Sequence, residues 1–238
     1  MTRKIVITSG KGGVGKTSIT ANLGYRLALG GKRVCVCDAD FGLNNLDVVT
    51  GVENLVVYDV VDCIEGRCRP KQALIQSPSH KNLYVLPSVH TFAKERVSPE
   101  NLKELIEGLS VGFDFVLVDC PAGIGGGFHK AVSACDEAIV VTTSQISSLR
   151  DADKVLSILR SYKLSEIGIV VNMIRGDLVA DKLALTPEKI EGLLKTEVIG
   201  VIPADDRVML KNAGDLPPEC EAFKAFKTLC SNVVNKKK

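Results

Sequence analysis

The sequence lacks the marks of an exported or membrane-spanning protein. No apolar run in its 238 residues approaches the roughly 18 residues that a membrane-spanning helix needs. Residues 2–4 lead straight into a short apolar stretch, so no secretory signal peptide is expected. The excess of one sign of charge is also small, because 30 basic residues nearly balance 28 acidic residues. The resulting net charge of +2 gives no general argument for nucleic-acid binding. We therefore expect a cytoplasmic protein.

Cysteine motifs that bind metal are missing as well. The eight cysteines include no C-x-x-C pair, and the three histidines do not cluster with them in sequence. Cys35 and Cys37 alternate with valines in an apolar segment, where free cysteine behaves as a small hydrophobe. In a cytosolic chain, reduced structural thiols are favoured over disulfides, with metal ligation as the less favoured alternative.

A glycine-rich segment follows the first apolar run, residues 5–7, and precedes a helical pattern. It fits the phosphate-binding loop (P-loop) pattern G-x-x-x-x-G-K-[ST], in which backbone N–H groups turn inward on the β-phosphate. The lysine reaches the β- and γ-phosphates and the hydroxyl ligates Mg²⁺. We therefore predict nucleotide binding, with Lys16 on the phosphates and Thr17 on the metal. Position 18, directly after Thr17, is taken as a threonine without a contact to the nucleotide. The residues predicted to contact the nucleotide here are Gly10, Lys11, Gly12, Gly13, Val14, Gly15, Lys16 and Thr17.

Apolar strand patterns and helical patterns alternate along the chain. This favours an α/β fold with a mainly parallel sheet and helices on both faces, a three-layer P-loop NTPase. The predicted strands are residues 4–8, 33–38, 82–86, 113–119, 137–142, 167–174 and 198–202. The predicted helices are residues 16–29, 58–64, 98–109, 128–134, 148–162, 186–194 and 221–234, and residues 41–55 are predicted as a loop with a short strand or turn. No linker interrupts the pattern, so one domain over residues 1–238 is expected, with 235–238 as a basic tail.

Lys11 is an addition that an ordinary P-loop does not need. With it, the segment K-G-G-V-G-K-T resembles the deviant Walker A loop of the MinD/ParA family of ATPases, which also includes the nitrogenase iron protein. The resemblance implies that Lys11 reaches across a dimer interface to the partner's nucleotide. It thereby makes Lys11 a catalytic residue beside Lys16. The alternative is an exposed loop lysine.

Acids close the second and fourth predicted strands. The string D-A-D-F-G-L-N-N-L-D over residues 38–47 resembles switch I of the MinD branch of the family. It implies that Asp38 bonds to the Mg²⁺ shell and that Asp40 positions the attacking water; capping of turns is the alternative. Residues 116–123, V-L-V-D-C-P-A-G, form a Walker B pattern with Asp119 near Mg²⁺. Gly123 resembles the switch II glycine whose N–H meets the γ-phosphate.

Three residues are predicted to contact the base of the nucleotide. Asn172 ends a predicted strand at the position where the family binds adenine with an amide, although an ordinary strand-end asparagine is the alternative. Pro203 and Asp205 lie in a P-A-D segment that resembles the loop packed on the purine. The choice of adenine over guanine rests on the resemblance, since an N-K-x-D guanine motif is absent.

The resemblance covers residues 3–230 and implies a slow ATPase with ATP and Mg²⁺ as cofactors. In the MinD branch, ATP drives homodimerisation, and the dimer binds the membrane and a division inhibitor of the MinC type. An activator then triggers hydrolysis and release. The implied function is therefore to position the division septum from the cytoplasm, with peripheral association to the inner face of the cell membrane and no nucleic-acid partner.

Several alternatives stay open. A MinD-related flagellar-number regulator shares much of the switch I string. A ParA-type DNA-segregation ATPase usually carries D-x-D-P-Q-G at switch I instead, and the cysteine contexts of a nitrogenase-type reductase are not reproduced. A nucleotide sensor without catalysis would leave Asp40 unused. The last helix has an apolar face, which we expect to pack on the domain rather than on lipid, at Phe223, Phe226, Leu229 and Val233.

Overall fold

One mainly parallel sheet organises the computed structural model, which describes residues 1–42, 45–88 and 96–236. Its strands β1 to β8 are Arg3–Thr8, Val34–Asp38, Ile75–Gln76, Leu83–Leu86, Phe115–Asp119, Glu137–Thr142, Glu166–Ile174 and Val198–Pro203. The spatial order is β3-β4-β2-β5-β1-β6-β7-β8, and β3 alone runs antiparallel to its neighbour among these strands. The strand that leads into the P-loop therefore lies inside the sheet, with β5 and β6 on either side of it.

Helices cover both faces of this sheet. In chain order, α1 to α11 are Lys16–Leu29, Leu46–Thr50, Val60–Ile64, Pro70–Ala73, Pro99–Ser110, Gly126–Ser133, Ile146–Leu159, Gly176–Ala180, Pro187–Leu194, Asp206–Leu210 and Glu221–Asn235. The predicted α/β class is confirmed. The loop with a short strand or turn expected over residues 41–55 was wrong in part, because the helix α2 forms there ahead of a 3₁₀ turn at Glu53–Leu55. These two elements are too short to show a helical period in the sequence.

Local sequence explains where the longer helices begin. Ser98 caps α5 by accepting a hydrogen bond from the backbone N–H of Asn101 at 3.2 Å, and Pro99 takes the first helical position. Thr186 does the same for α9, accepting from the N–H of Lys189 at 3.3 Å. Both starts were predicted from these Ser-Pro and Thr-Pro pairs.

The sheet separates two apolar layers. Every residue of β2, β5 and β6 is buried, which explains their nearly continuous apolar sequences. Along β2 the side chains alternate, so that Cys35 and Cys37 face the layer under α5 to α7, while Val34 and Val36 face the layer under α1 and α11. The two thiols are fully buried, as expected for small hydrophobes. Within the described residues, no group of three or more Cys, His, Asp and Glu side chains is placed to hold a metal.

The last helix packs on the sheet. Phe226, Leu229 and Val233 of α11 are buried in the same layer as α1, which confirms the expected packing role. Of the predicted basic tail, Lys236 forms ion pairs with Glu166 at 2.7 Å and Glu197 at 2.8 Å, and residues 237–238 lie outside the described part. Across the described ranges, no helix combines the length and apolar character needed to cross a bilayer.

Candidate functional site

The P-loop connects β1 to α1 at the carboxyl-terminal edge of the sheet. Gly13 and Gly15 adopt left-handed conformations, with φ of +76° and +89°, which favour glycine. Gly15 also precedes the first residue of α1, and its carbonyl accepts a hydrogen bond from the N–H of Ile19 at 2.9 Å. The free N–H groups and partial positive charge of this helix start are therefore available to phosphate at the loop.

The residue assumed at position 18, just after the P-loop, was wrong. The chain has a serine there, Ser18, and not a threonine. Ser18 lies half-buried in the first turn of α1, and its carbonyl accepts a hydrogen bond from the side-chain amide of Asn22 at 2.9 Å. This contact belongs to the helix, and the absence of a contact between residue 18 and the nucleotide stays a prediction.

Two contacts hold the loop from opposite sides. A Cβ on Gly10 would stand 2.7 Å from the Cβ of Asp151 in α7, so only glycine permits this approach. On the other side, the buried amide of Asn172 in β7 donates a hydrogen bond to the carbonyl oxygen of Val14 at 2.8 Å. The loop is therefore held against β7 and α7 by contacts within the protein.

Two buried carboxyl groups lie beside the loop. Asp38 and Asp119 end the adjacent strands β2 and β5 and are register partners. Asp38 accepts hydrogen bonds from the N–H groups of Asp40 at 2.8 Å and Leu46 at 3.3 Å. The hydroxyl of Thr20 donates to Asp119 at 3.2 Å. Both side chains are thus fixed in position at the carboxyl ends of their strands.

Burial dominates the acidity of this pair. It raises the pKa of Asp119 to about 6, an effect that a hydrogen bond from Thr17 and the charge of Lys16 partly oppose. Burial, together with the neighbouring Asp119, raises the pKa of Asp38 well above its usual value. Two carboxylates that are costly to ionise side by side are the kind of group that a bound cation stabilises.

The donors present fit Mg²⁺. Asp38, Asp119 and the Thr17 hydroxyl offer hard oxygen donors. Thr17, at the end of the P-loop, hydrogen-bonds Asp119, and Asp38 is the register partner of Asp119. Since two carboxyl groups do not complete an octahedral shell, phosphate and water would supply the remaining positions. The three residues predicted as metal ligands thus lie around the same point of the sheet edge.

The switch segments border a cleft of about 430 Å³. Asp40 and Phe41 line it from one side, and residues 121–122 and 125–128 line it from the other. The carbonyl of Asp40 accepts hydrogen bonds from the N–H of Gly42 at 2.7 Å and the hydroxyl of Ser88 at 3.4 Å. Residues 43 and 44 of the predicted switch I string lie outside the described residues.

Gly123 is engaged within the protein. Its φ is +84°, and its N–H donates to the carbonyl of Ser9 at 3.0 Å. The side chain of Ser9 in turn donates to the carbonyl of Lys11 at 2.8 Å. For the predicted contact between Gly123 and a γ-phosphate to form, the bond to Ser9 has to break.

The residues predicted for the base gather at the ends of β7 and β8. Pro203 ends β8, and the N–H of Ala204 donates to the carbonyl of Ile174 at 2.9 Å. Asp205 caps α10, and its carboxylate pairs with Arg207 at 2.8 Å, which lowers the pKa of Asp205. The carboxylate is therefore committed to Arg207, and the backbone of this segment is what remains to face a purine.

Comparisons with known proteins fit this geometry. The ParA family model, described as "NUBPL iron-transfer P-loop NTPase", matches residues 1–184. The septum site-determining protein MinD of Bacillus subtilis is 42% identical over 240 residues, covering 98% of this chain and 90% of that protein. The chain belongs to the MinD/ParA family of P-loop NTPases. The resemblance predicted from the sequence is confirmed, and with it the role of a cell-division ATPase.

Solved MinD structures share the whole fold. MinD in the MinC:MinD cell division complex of Aquifex aeolicus matches with a TM-score of 0.91 and 36% identity, covering 99% of this chain and 97% of that one. MinD of Pyrococcus horikoshii, solved with Mg-ADP, matches with a TM-score of 0.88 and 32% identity, covering 99% and 97%. The sheet order and its flanking helices are therefore those of the MinD fold.

The site contains residues that the sequence analysis did not predict. Thr20 lies one turn after Thr17 and bonds both Asp119 and the carbonyl of Lys16, the latter at 3.0 Å. Its spacing on α1 is the signal that would have found it, since residues three apart share a helix face. Asp151 and Ser9 support the loop through contacts that no local pattern indicates. Asn172 holds the loop in addition to its predicted place near the base.

Proposed function

We propose that residues 1–238 form a Mg²⁺-dependent ATPase domain that positions the division septum as an ATP-bound dimer. The observation that carries the proposal is the meeting of three parts at one sheet edge. These are the P-loop with an exposed Lys11, the buried pair Asp38 and Asp119, and Asp40 beside them. MinD relatives of similar length support it.

Within the site each group has a defined task. Lys16 and the start of α1 stabilise charge on the β- and γ-phosphates. Thr17, Asp38 and Asp119 would hold Mg²⁺, which supplies neutralisation of the phosphate charge when bound. Asp40 orients the attacking water, and the P-A-D segment with Asn172 receives adenine. Phosphoryl transfer requires such positioning more than covalent participation of the protein.

The exposure of the loop supports the proposed dimer. Lys11, Gly12 and Gly13 are exposed at the tip of the P-loop. Ile124 and Ile146 follow the carboxyl ends of β5 and β6, and 46% and 69% of their respective surfaces are exposed. Apolar side chains at this edge favour contact with a second copy of the chain. Lys11 would then reach the partner's γ-phosphate, and hydrolysis would weaken the interface.

The proposed partners come from the family. The MinC:MinD complex of Aquifex aeolicus supports a division inhibitor as partner of the ATP-bound dimer. We also propose an activating protein that triggers hydrolysis and a peripheral association with the inner face of the cell membrane. ATP and Mg²⁺ are the proposed cofactors, consistent with the Mg-ADP in the Pyrococcus horikoshii structure.

Light scattering coupled to size exclusion tests the switch. With Mg²⁺, the protein should be monomeric with ADP and dimeric with a non-hydrolysable ATP analogue, and it should release phosphate from ATP slowly. Co-sedimentation with anionic liposomes, with ATP and with ADP, tests the membrane step. A monomer under all conditions that turns over ATP normally would refute the dimeric site.

A further inference from the structure

A second pocket, of about 830 Å³, opens at the amino-terminal edge of the sheet. It lies between α4, strand β4 and the end of α5, beside the residues that lead into β2 and β5. The P-loop lies at the opposite edge. Because β2 and β5 each have five residues, about 17 Å of strand separates the two edges. The pocket is therefore distinct from the nucleotide site and from the face proposed to dimerise.

The pocket is lined by cations and not by acids. Arg33, Arg69 and Lys71 line it, and all three are exposed. Among the described residues, none of the three side chains forms an ion pair, and no acid belongs to the lining. Asp114 lies beside Arg33 but accepts its backbone N–H at 2.8 Å. Three neighbouring positive charges that form no ion pair with the described residues favour an anionic ligand.

Arg67, unlike the three cations of the pocket, forms ion pairs with described residues. Only two residues before Arg69 in sequence, it pairs with Asp62 at 2.6 Å and also with Glu65. The segment therefore has acids available, and they pair with Arg67 rather than with the pocket cations. The positive charge of the pocket remains uncompensated by the described residues.

An aromatic pair holds Arg33 in the pocket. Tyr84 and Phe113 meet edge to face with ring centroids 5.4 Å apart. The guanidinium carbon of Arg33 lies 5.3 Å from each of the two centroids. Such cation–π contacts limit the freedom of the side chain, so less entropy is lost when its planar N–H groups bind a carboxylate in two-point fashion.

Apolar surface completes the pocket. Leu74 and Leu109 line its wall, and Val111 at its rim is 91% exposed. A ligand that matches this surface needs an apolar side chain among its negative charges. An acidic peptide segment with a leucine or phenylalanine has both.

We propose that this pocket binds an acidic, leucine- or phenylalanine-containing segment of a partner protein. Carboxylates pair with Arg33, Arg69 and Lys71, and the apolar side chain packs on Leu74 and Val111. Its concave shape and apolar wall favour a peptide over a lipid surface or nucleic acid, which bind mainly by a larger number of charges. Because the pocket is remote from the P-loop, both nucleotide states bind the segment equally.

Fluorescence anisotropy tests this with the full chain and a fluorescein-labelled peptide of glutamates flanking one leucine and one phenylalanine. Arg33→Ala and Lys71→Ala should each weaken binding about tenfold, since a charge-assisted hydrogen bond is lost. The matched control is Lys189→Ala, an exposed lysine of α9 away from the pocket, which should leave affinity unchanged. A peptide with lysines in place of glutamates should not bind, and ATP or ADP should not alter the affinity.

Thermal melting and ATP binding of each variant establish that it is folded. If peptide affinity is unchanged in folded Arg33→Ala and Lys71→Ala, the proposal is overturned. It is also overturned if vesicles of anionic lipid, and not the peptide, bind in an Arg33-dependent way. Failure of the septum function or of dimerisation would not alter these results, because the assay requires neither.

Discussion

The side-chain amide of Asn172 lies against the α-carbon of Gly15, in the space where a Cβ would stand. Gly15→Ala should therefore abolish ATP binding, because the new methyl group displaces either Asn172 or the loop. A left-handed backbone at a residue with a Cβ costs a further ~1–2 kcal/mol. Isothermal titration with ATP and a thermal melt measure the two effects.

The matched control for this change is Gly31→Ala. Gly31 has a similar φ of +82°, but apart from its chain neighbours no described residue has an atom within 4 Å of an added Cβ. It should lose stability through backbone strain alone and keep its ATP affinity. Equal ATP affinity in the two variants would show that the contact with Asn172 does not shape the loop.

Asn172 has two proposed roles, support of the P-loop and contact with adenine. Binding of inorganic triphosphate and of ATP distinguishes them. Asn172→Ala removes the bond to the carbonyl of Val14, so affinity for inorganic triphosphate should fall several-fold with the loss of loop support. Affinity for ATP should fall further, because contact with adenine is lost as well. Equal losses for the two ligands would refute the adenine contact, and no loss for triphosphate would refute loop support.

Alanine variants of the two P-loop lysines should lose different properties. Lys16→Ala should abolish nucleotide binding, since it removes the charge on the β- and γ-phosphates. Lys11→Ala should bind ATP but lose ATP-dependent dimerisation and stimulated hydrolysis. Titration with a fluorescent ATP analogue and light scattering measure these outcomes. An unchanged dimer in Lys11→Ala would defeat the cross-subunit role.

Asp40→Ala should preserve ATP binding and trap the dimer, because the attacking water is no longer positioned. Single-turnover hydrolysis should fall about a hundredfold or more, while light scattering shows a dimer that persists with ATP. Glu104→Ala, an exposed acid of α5, is the control and should behave as the unchanged protein. Normal turnover in Asp40→Ala would remove Asp40 from the mechanism.

Asp119→Asn should stabilise the nucleotide-free protein and weaken its use of Mg²⁺. Because burial raises its pKa to about 6, the folded protein binds more protons than the unfolded chain between the ordinary value of 3.8 and 6, and its stability falls as pH rises through that window. The neutral amide escapes this penalty, so the nucleotide-free variant should melt higher at pH 7.5. The variant should also need a higher Mg²⁺ concentration for ATP hydrolysis, and a lower Mg²⁺ requirement would exclude Asp119 as a ligand of the metal.

Local patterns sufficed to predict much of the fold and part of the site. Three features depend on neighbours in sequence. They are the glycine spacing of the P-loop, the apolar strands that end in Asp38 and Asp119, and the Ser98-Pro99 helix start. Their positions therefore follow from short-range rules for turns, strands and caps. The long α1 was predicted with its observed bounds, Lys16–Leu29.

Contacts between distant segments could not be predicted in this way. The bond from Asn172 to Val14 joins residues 158 apart, and the bond from Gly123 to Ser9 joins two loops. The edge strand β3 has two residues, too few to show alternation. Such features depend on how the sheet brings strand ends together, which is a property of the assembled fold.

The register between β2 and β5 has a consequence for signalling. Asp38 and Asp119 stand opposite each other in strands that are buried throughout, so their separation cannot change unless the interior of the protein rearranges. We therefore expect the loops that follow these strands to transmit the difference between bound triphosphate and bound diphosphate. If Asp38 and Asp119 hold the metal as proposed, this pair stays in place while residues 39–42 and 120–125 move relative to it.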